Sequence, residues 1–359
     1  MDVAVIGASG SVGRAVCGQL LATGTLAPGE RLQLVGRSGS ASETGVFGLA
    51  IDLRDAYFDS APTIEPILEL ERIDADVVVM VAGQTPSDNP THHSSRDAVA
   101  KVNLPFFESV AEALATHGTG REVVVIQSNP VELAVDVFAR RLGSKRVIGA
   151  GSFNDSQRLR REVTEGFMRS PWYQGRKPLV VGYMLGEHGP AAVPMWSTLR
   201  AQGVDPQSWA QYLADARGGR RFDELPGEVV QARDRVAAML VEHQGEEAFT
   251  YIDSLPPDVR SLVKPWYAHW SGRTSTATAH CVADIIQELE HGHRLLLPLQ
   301  VACSADDWPG VPGVAGLVVD VDHEGWHRSI PLDLPDDEHQ ALLDAIGAIG
   351  QRLAQWRGN

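Results

Sequence analysis

His188 is the residue of this chain best suited to acid–base chemistry. It lies in the stretch 184–196, directly after an apolar run at 178–183 that predicts a buried strand, and glycines on both sides allow the backbone to turn sharply. Because imidazole titrates near neutral pH, it can both donate and accept a proton. A histidine at the end of a buried strand is therefore a candidate catalytic residue, and a structural role in the turn is the alternative.

Asp155 and Arg158 are spaced so that they can share one face of a helix. They follow a predicted strand at 146–148, and the geometry holds if Asp155 opens or caps the helix that comes next. The sequence leaves open whether the pair belongs to a site or forms a surface salt bridge.

Asn129 follows a predicted strand at 122–126 and offers both a hydrogen-bond donor and an acceptor at the strand end. The peptide between Asn129 and Pro130 is a candidate cis bond.

A polar loop at 83–96 follows a third predicted strand, at 76–81, and has the composition of a lid over a ligand site. Arg96 stands where this loop meets the next helix, from which it can reach a bound substrate. His92 and His93 have no Cys or acidic residue nearby at ligand spacing, so no metal site is predicted there.

The N-terminus has the pattern strand, glycine loop, helix, with the strand at 2–6. Glycines let backbone N–H groups and the helix N-terminus approach a pyrophosphate, so the pattern indicates a nucleotide-binding loop. A tight turn that binds nothing is the alternative. The residues of this candidate loop are Gly7, Ser9, Gly10, Ser11, Val12 and Gly13.

A second predicted strand, at 32–35, ends in Gly36, Arg37 and Ser38. Sites that prefer NAD carry an acidic residue at this strand end to bind the ribose hydroxyls, and none is present here. Gly36 leaves room, and Arg37 and Ser38 can contact a 2′-phosphate, which favours NADP over NAD. Arg37 as a solvated turn residue is the alternative.

Composition bounds the class of protein. The 359 residues carry a formal net charge of −15, which argues against nucleic acid or an acidic membrane as partners. Cys17, Cys281 and Cys303 show neither disulfide nor metal-ligand spacing, and Cys281 and its neighbour His280 are predicted to pack in a helix. No signal peptide or membrane-spanning run is recognised, so a cytoplasmic location is expected.

The second half predicts a mixed domain. The stretch 200–226, with a basic cluster at Arg217, Arg220 and Arg221, is predicted to be a solvated loop. Helices are predicted at 229–241, 276–289 and 336–356, and antiparallel strands at 295–301, 314–321 and 326–331. The expected fold is α/β, with a doubly wound parallel sheet at 1–150, a mixed α+β domain at 151–359, and a site at their seam.

These short motifs, in this order, resemble the lactate/malate dehydrogenase family, and several independent matches over most of the chain make the resemblance specific. The matching segments are the glycine loop, Ser128-Asn129-Pro130-Val131, Val147-Ile148-Gly149, Asp155-Ser156-Gln157-Arg158, Leu185-Gly186-Glu187-His188-Gly189, Val193-Pro194-Met195-Trp196 and Gly272-Arg273-Thr274-Ser275.

The resemblance implies a Rossmann domain, a catalytic domain of the same family type and a homodimer or homotetramer. It makes His188 the proton donor and acceptor, Asp155 its orienting carboxylate, and Arg158 the clamp on the substrate carboxylate. Arg96 becomes the lid residue that polarises the carbonyl, and Asn129 a partner of substrate or cofactor. It places Thr274 beside the substrate and adds three cofactor-binding residues, Gly83, Asn103 and Ser128.

Four features depart from the usual family pattern. The loop at 83–96 is longer and has no second Arg, Pro190 and Ala191 replace the usual Asp-Ser, Gly36-Arg37-Ser38 resembles the NADP-preferring malate enzymes, and an insertion lies at 242–271. The aromatic residues of this insertion either line an altered acyl site or serve packing and subunit contact.

We therefore expect an enzyme that transfers hydride between NADP(H), or NAD(H), and a small-molecule 2-oxo or 2-hydroxy acid with a non-standard acyl group. One alternative is malate dehydrogenase proper, acting on oxaloacetate, with the second carboxylate met by His92, His93, His269 or Arg273. The other is a non-catalytic nucleotide-binding regulatory protein.

Overall fold

A computed structural model describes residues 1–86, 95–272, 274–308 and 313–358 of the chain. Eleven strands of these described ranges join in one sheet. They are β1 (Val3–Ile6), β2 (Arg31–Val35), β3 (Thr63–Ile67), β4 (Val77–Met80), β5 (Val123–Ile126), β6 (Val147–Gly149), β7 (Leu179–Gly186), β8 (Ala192–Gln202), β9 (Leu295–Cys303), β10 (Gly313–Asp322) and β11 (Gly325–Ser329).

The helices of the same ranges are α1 (Ser11–Ala22), α2 (Ala41–Ala56), α3 (Arg96–His117), α4 (Val131–Leu142), α5 (Gly151–Arg169), α6 (Pro206–Arg217), α7 (Leu225–Val241), α8 (Gly245–Ser254), α9 (Pro257–Ser271), α10 (Ser275–His291) and α11 (Asp336–Arg357).

The first half of the sheet is parallel, in the order β3-β2-β1-β4-β5-β6. Its central strands are short apolar runs buried along their whole length, as parallel strands covered by helices on both faces must be. β1 pairs with β2 on one side and with β4 on the other. The order of the strands therefore reverses at β1, and such a reversal opens a crevice at the carboxyl edge of the sheet.

The second half continues the same sheet with antiparallel strands. Gly149 at the end of β6 pairs with Gln300 of β9, and β10, β7 and β8 follow, with β11 beside β10. The three antiparallel strands and the closing helix that the sequence predicts near the C-terminus are present. The predicted domain boundary after residue 150 falls where β6 ends and α5 begins, and the division itself stays a prediction.

The count of strands in the first half was wrong by one. The strand at 76–81 is the fourth rather than the third, because α2 and β3 lie between it and β2. β3 contains Thr63, Glu65 and Pro66 and pairs only with β2. An edge strand tolerates polar residues and proline, so it has no continuous apolar run to reveal it.

The prediction of a solvated loop at 200–226 was also wrong. β8 runs to Gln202 and α6 follows, capped by Asp205, whose side chain accepts a hydrogen bond from Ser208 N–H at 2.7 Å. α6 buries Trp209 and Tyr212 against Phe167 in edge-to-face contacts. Two large aromatic side chains supply the apolar face that a longer aliphatic stripe usually provides.

The basic cluster of that stretch is largely ion-paired. Arg220 contacts Asp258 at 2.6 Å and Glu228 at 2.9 Å, and Arg217 contacts Asp337. Arg221 is exposed and pairs with its neighbour Asp223. These side chains therefore connect α6, α7, α9 and α11 rather than forming a free basic surface.

The insertion at 242–271 forms α8 and α9. α9 packs against both α5 and α7, so its residues lie between those two helices. This placement brings aromatic side chains of the insertion to the carboxyl edge of the sheet, as the next subsection describes.

The three thiols are buried and unlinked, and burial raises the pKa of each of them to about 12. His280, predicted to be packed with Cys281, is instead more than half exposed on α10. Within the described ranges, no helix combines the length and apolar character needed to cross a membrane.

Candidate active site

Asp155 holds His188 and Arg158 together at the carboxyl edge of the sheet. One of its oxygens, Oδ2, lies 2.8 Å from His188 Nδ1, and the other, Oδ1, accepts a hydrogen bond from Arg158 Nη1, also at 2.8 Å. Gly189 N–H donates to Oδ2 at 3.0 Å. Since Nδ1 is occupied, Nε2 is the nitrogen that His188 can present to a ligand.

The position of α5 determines this geometry. The helix begins at Gly151, so Asp155 lies in its second turn. The sequence analysis expected Asp155 to open or cap this helix, and it does neither. The shared face of Asp155 and Arg158 is nevertheless present, because three residues make nearly one turn. A Cβ on Gly151 would lie 2.6 Å from His188 Cγ, so only glycine lets the helix pack against the imidazole.

The charge of Asp155 is stabilised by its partners. Burial raises the pKa of this carboxyl, but His188 and Arg158 oppose that effect more strongly, and the pKa is lowered overall. Asp155 is therefore ionised at neutral pH although its side chain is only 3% exposed. An ionised carboxylate on Nδ1 stabilises the imidazolium form and fixes the orientation of the ring.

A turn carries His188 from β7 into the site. Gly186 and Gly189 both have positive φ, and Ala192 N–H donates to Gly189 O at 3.0 Å to close the turn around Pro190 and Ala191. The replacement of the family's Asp-Ser at these two positions thus leaves the contact between His188 and Asp155 intact.

Behind His188 lies a buried pair of carboxylates that the sequence analysis did not identify. Glu132 Oε1 accepts a hydrogen bond from His188 N–H at 2.6 Å, and its other oxygen accepts from Arg96 Nη2, also at 2.6 Å. Arg96 also donates to Glu187, which accepts in addition from Arg352 of α11. The side chains of Glu132 and Glu187 are 1% and 2% exposed.

This network explains where Arg96 is. It is the first residue of α3 and lines the cavity described below, but two carboxylates bind its guanidinium. Its predicted role at the substrate carbonyl stays a prediction. Glu187 lies within a matched motif, and Glu132 directly follows another, so each had a signal in the sequence. No local signal marks Arg352.

Glu187 is buried beside a second carboxylate, and both conditions disfavour its charged form. Burial raises the pKa of its carboxyl, the Glu132 carboxylate raises it further, and Arg96 and Arg352 lower it without cancelling the rise. Each guanidinium therefore favours the charged form of Glu187.

The glycine loop is shaped by two close backbone approaches. Gly7 has φ +91°, and a Cβ there would lie 2.8 Å from Ala82 Cβ at the end of β4. A Cβ on Gly13 would collide with Gly7 O. Gly10 and Ser11 are exposed at the start of α1, and no acidic residue is present in its first turn.

Asn103 and Ser128 fix the neighbouring loops rather than extending into open space. Asn103 is buried, accepts from Gln84 N–H at 2.9 Å, and donates to Asn129 O at 2.6 Å. Ser128 Oγ donates to Ala82 O at 2.6 Å. The Asn129–Pro130 peptide is cis, as the sequence suggested.

At the end of β2, Arg37 and Ser38 are exposed, and Arg37 N–H donates to Ser42 Oγ at 2.8 Å. Among the described residues, the guanidinium of Arg37 has no hydrogen-bond or ion-pair partner. A Cβ on Gly36 would lie 2.9 Å from Ser42 O, so the space that this glycine leaves is taken up by the start of α2.

A cavity of about 310 Å³ brings together half of the predicted site residues. Thr274 lines it and contacts Arg158 Nη2 at 3.5 Å and His269 Nε2 at 3.3 Å through its hydroxyl. His92, His93 and Arg273 lie outside the described residues. The predicted site residues that line the cavity are Val12, Gly83, Arg96, Ser128, Asn129, Asp155, Arg158, His188 and Thr274.

The helix α9 of the insertion and the helix α7, which precedes the insertion, supply part of the cavity wall. Trp266, His269 and Trp270 of α9 and Arg233 of α7 line it, so the aromatic residues of the insertion do reach the site. No group of three or more His, Cys, Asp or Glu side chains in the described ranges is placed to hold a metal ion.

The chain is similar in sequence to known proteins. Residues 1–149 match the family described as lactate/malate dehydrogenase, NAD binding domain. An L-lactate dehydrogenase of Kosmotoga olearia is 25% identical, over 97% of this chain and 94% of the relative. Another, from Shouchella clausii, is 32% identical over 54% of this chain and 56% of the relative.

Solved structures share the fold over the full chain. A malate dehydrogenase of Cryptosporidium parvum superposes with a TM-score of 0.73 at 17% identity, covering 100% of this chain and 99% of that one. The lactate dehydrogenase of the same organism, complexed with lactic acid and β-nicotinamide adenine dinucleotide, gives 0.74 at 17% identity, covering 100% and 98%.

Removal of one cation from the buried network tests its electrostatics. Arg352→Met should raise the pKa of Glu187 further. A carboxyl whose pKa is higher in the folded protein than in the unfolded chain lowers the free energy of unfolding as the pH rises from the unfolded pKa to the folded pKa. The variant should therefore lose about 1–3 kcal/mol of unfolding free energy, less than for a fully buried pair because Arg352 is 32% exposed. Urea unfolding at about pH 5 and about pH 8 should give the larger deficit at the higher pH.

Arg357→Met is the matched control, because Arg357 lies on the same helix, is 29% exposed and contacts Asp136, which keeps Arg140 as a second partner. Equal losses for the two variants at both pH values would contradict the assigned role of Arg352.

Proposed function

We propose that this chain, which belongs to the lactate/malate dehydrogenase family, catalyses reversible hydride transfer between a nicotinamide nucleotide and the C2 atom of a 2-oxo or 2-hydroxy carboxylic acid. The observation that carries the proposal is the set Asp155, His188 and Arg158, held within hydrogen-bond distance at the sheet edge next to the glycine loop. It combines a proton carrier with an anion clamp in one cavity.

Each side chain has a task that follows from its contacts. Arg158 binds the C1 carboxylate and thereby fixes C2 in the cavity. In reduction, the C2=O π bond breaks as hydride adds to C2, and its oxygen takes the proton from His188 Nε2. Asp155 stabilises the imidazolium before this transfer and orients its ring throughout. Arg96 lines the same cavity, with its guanidinium bound by Glu132 and Glu187.

The N-terminal half fits a dinucleotide. Gly7 and Gly13 allow the close backbone approaches that shape the loop, and the first-turn N–H groups of α1 suit a pyrophosphate. Val12 and Gly83 line the same cavity as His188, which supports a nicotinamide bound beside this side chain. When bound, the nicotinamide supplies or accepts the hydride.

NADP is the nucleotide we favour. The missing carboxylate at the end of β2 and the exposed guanidinium of Arg37 support contact with a 2′-phosphate. NAD remains the alternative.

We also propose that the substrate has a non-standard acyl group. The support is the position of Trp266, His269 and Trp270 in the cavity wall. The nearest alternative is malate dehydrogenase proper, acting on oxaloacetate. Of the residues predicted to meet its second carboxylate, His269 lies among the described residues. A homodimer or homotetramer is proposed from the family alone.

Replacement of His188 separates catalysis from nucleotide binding. His188→Asn removes the proton carrier and should lower kcat for 2-oxo acid reduction by roughly 10²–10⁴-fold, with little change in NADPH affinity measured by fluorescence titration. His291→Asn, at an exposed position on α10, is the control and should retain the wild-type rate. Wild-type turnover by His188→Asn would exclude the mechanism, and a wild-type protein that binds NADPH but reduces no 2-oxo acid would favour a regulatory nucleotide-binding protein.

Replacement of Arg37 tests nucleotide choice. Arg37→Gln should raise KM for NADPH by roughly 10- to 100-fold, because a charge-assisted contact to the 2′-phosphate is lost, and should leave KM for NADH nearly unchanged. Arg72→Gln, a change at another exposed arginine of this half, should alter neither value. A wild-type enzyme that prefers NADH, or equal effects of Arg37→Gln on both nucleotides, would rule out NADP recognition by Arg37.

A further inference from the structure

Arg233 places a third guanidinium in the wall of the active-site cavity, beside those of Arg96 and Arg158. It belongs to α7, outside every motif that resembles the family, and lines the same cavity as Arg158 and His188. Its Cζ lies 5.3 Å from the centroid of the Trp266 ring. Stacking on an aromatic face helps to position a guanidinium.

The helix α9, whose aromatic side chains line the cavity, lies between the helices that carry Arg158 and Arg233. α9 packs against α5, which carries Arg158, and against α7, which carries Arg233. Trp266 and Trp270 are in contact, with ring centroids 5.6 Å apart, and Leu262 and Pro265 extend the apolar surface. A ligand that reaches from Arg158 to Arg233 would lie along this surface.

The chemistry of that wall points to one class of ligand. A flat apolar surface suits methylene groups, and a guanidinium with five N–H donors can bind a carboxylate while keeping other contacts. The short side chain of pyruvate would leave the indole surface uncovered. Oxaloacetate, with one methylene between its carbonyl and its second carboxylate, would cover little of it.

Resting on the proposed function, we propose that the substrate is a 2-oxo dicarboxylic acid with more than one methylene between C2 and the distal carboxylate. Arg158 binds the C1 carboxylate, Trp266 and Trp270 cover the methylene chain, and Arg233 binds the distal carboxylate. Arg233, on the helix α7 beside the insertion, thus determines specificity. It takes the place of the second Arg that the loop at 83–96 lacks.

The test compares matched substrates that differ only in the distal group. Oxaloacetate, 2-oxoglutarate and 2-oxoadipate are paired with 2-oxobutyrate, 2-oxopentanoate and 2-oxohexanoate, and kcat and KM are measured with NADPH and with NADH. The wild-type enzyme should prefer the longer diacids to oxaloacetate and to every monoacid of the set.

Arg233→Met should lower kcat/KM for the longer diacids on the order of 100-fold, mostly through KM, and should leave the monoacids within about twofold. Arg235→Met is the matched control, because Arg235 lies on the same helix, is exposed, and stacks on Tyr251 at 4.2 Å outside the cavity. It should leave all six values at the wild-type level.

A measurement on the wild-type protein guards against a variant that does not fold. Calorimetric titration of the nucleotide-bound enzyme should detect glutarate and adipate more tightly than pentanoate and hexanoate. Turnover of monoacids in preference to diacids would overturn the assignment of Arg233 and leave the proposed function standing. No turnover of any 2-oxo acid would overturn both.

Discussion

The site depends on one buried carboxylate. Asp155 accepts hydrogen bonds from a ring nitrogen, a guanidinium and a backbone N–H, and these contacts offset the cost of burying its charge. Because the same group bonds His188 and Arg158, these two side chains hold a fixed position relative to each other. A site built from two independent side chains would need a separate support for each.

The fold supplies that carboxylate with its position. α5 starts where β6 ends, and Gly151 lets its first turn pack against the imidazole. β7 delivers His188 from the antiparallel half of the sheet, and the glycine loop follows β1 in the parallel half. One continuous sheet therefore brings His188 and the glycine loop to the same edge. The buried carboxylates Glu132 and Glu187 join this edge to α3 and α11 through Arg96 and Arg352.

Local patterns were enough to predict part of this arrangement. The glycine loop, the buried parallel strands and the shared face of Asp155 and Arg158 each follow from short spacings, and the motifs around them identify the family. Features that depend on distant partners were missed: Arg352 is 165 residues from Glu187, and β3 is an edge strand without an apolar run. Aromatic residues were noticed in the insertion, whereas Arg233 was not, because only the packing of α7 against α9 brings it to the cavity.

Single-turnover hydride transfer in Asp155→Asn tests the central claim most directly, since the substitution keeps the shape of the side chain and removes its charge. The rate of NADPH oxidation with saturating 2-oxo acid should fall by roughly 10²–10⁴-fold, with substrate affinity weakened as well because Arg158 loses its anchor, while NADPH binding is retained. A rate within about tenfold of the wild type, with unchanged substrate affinity, would contradict the account.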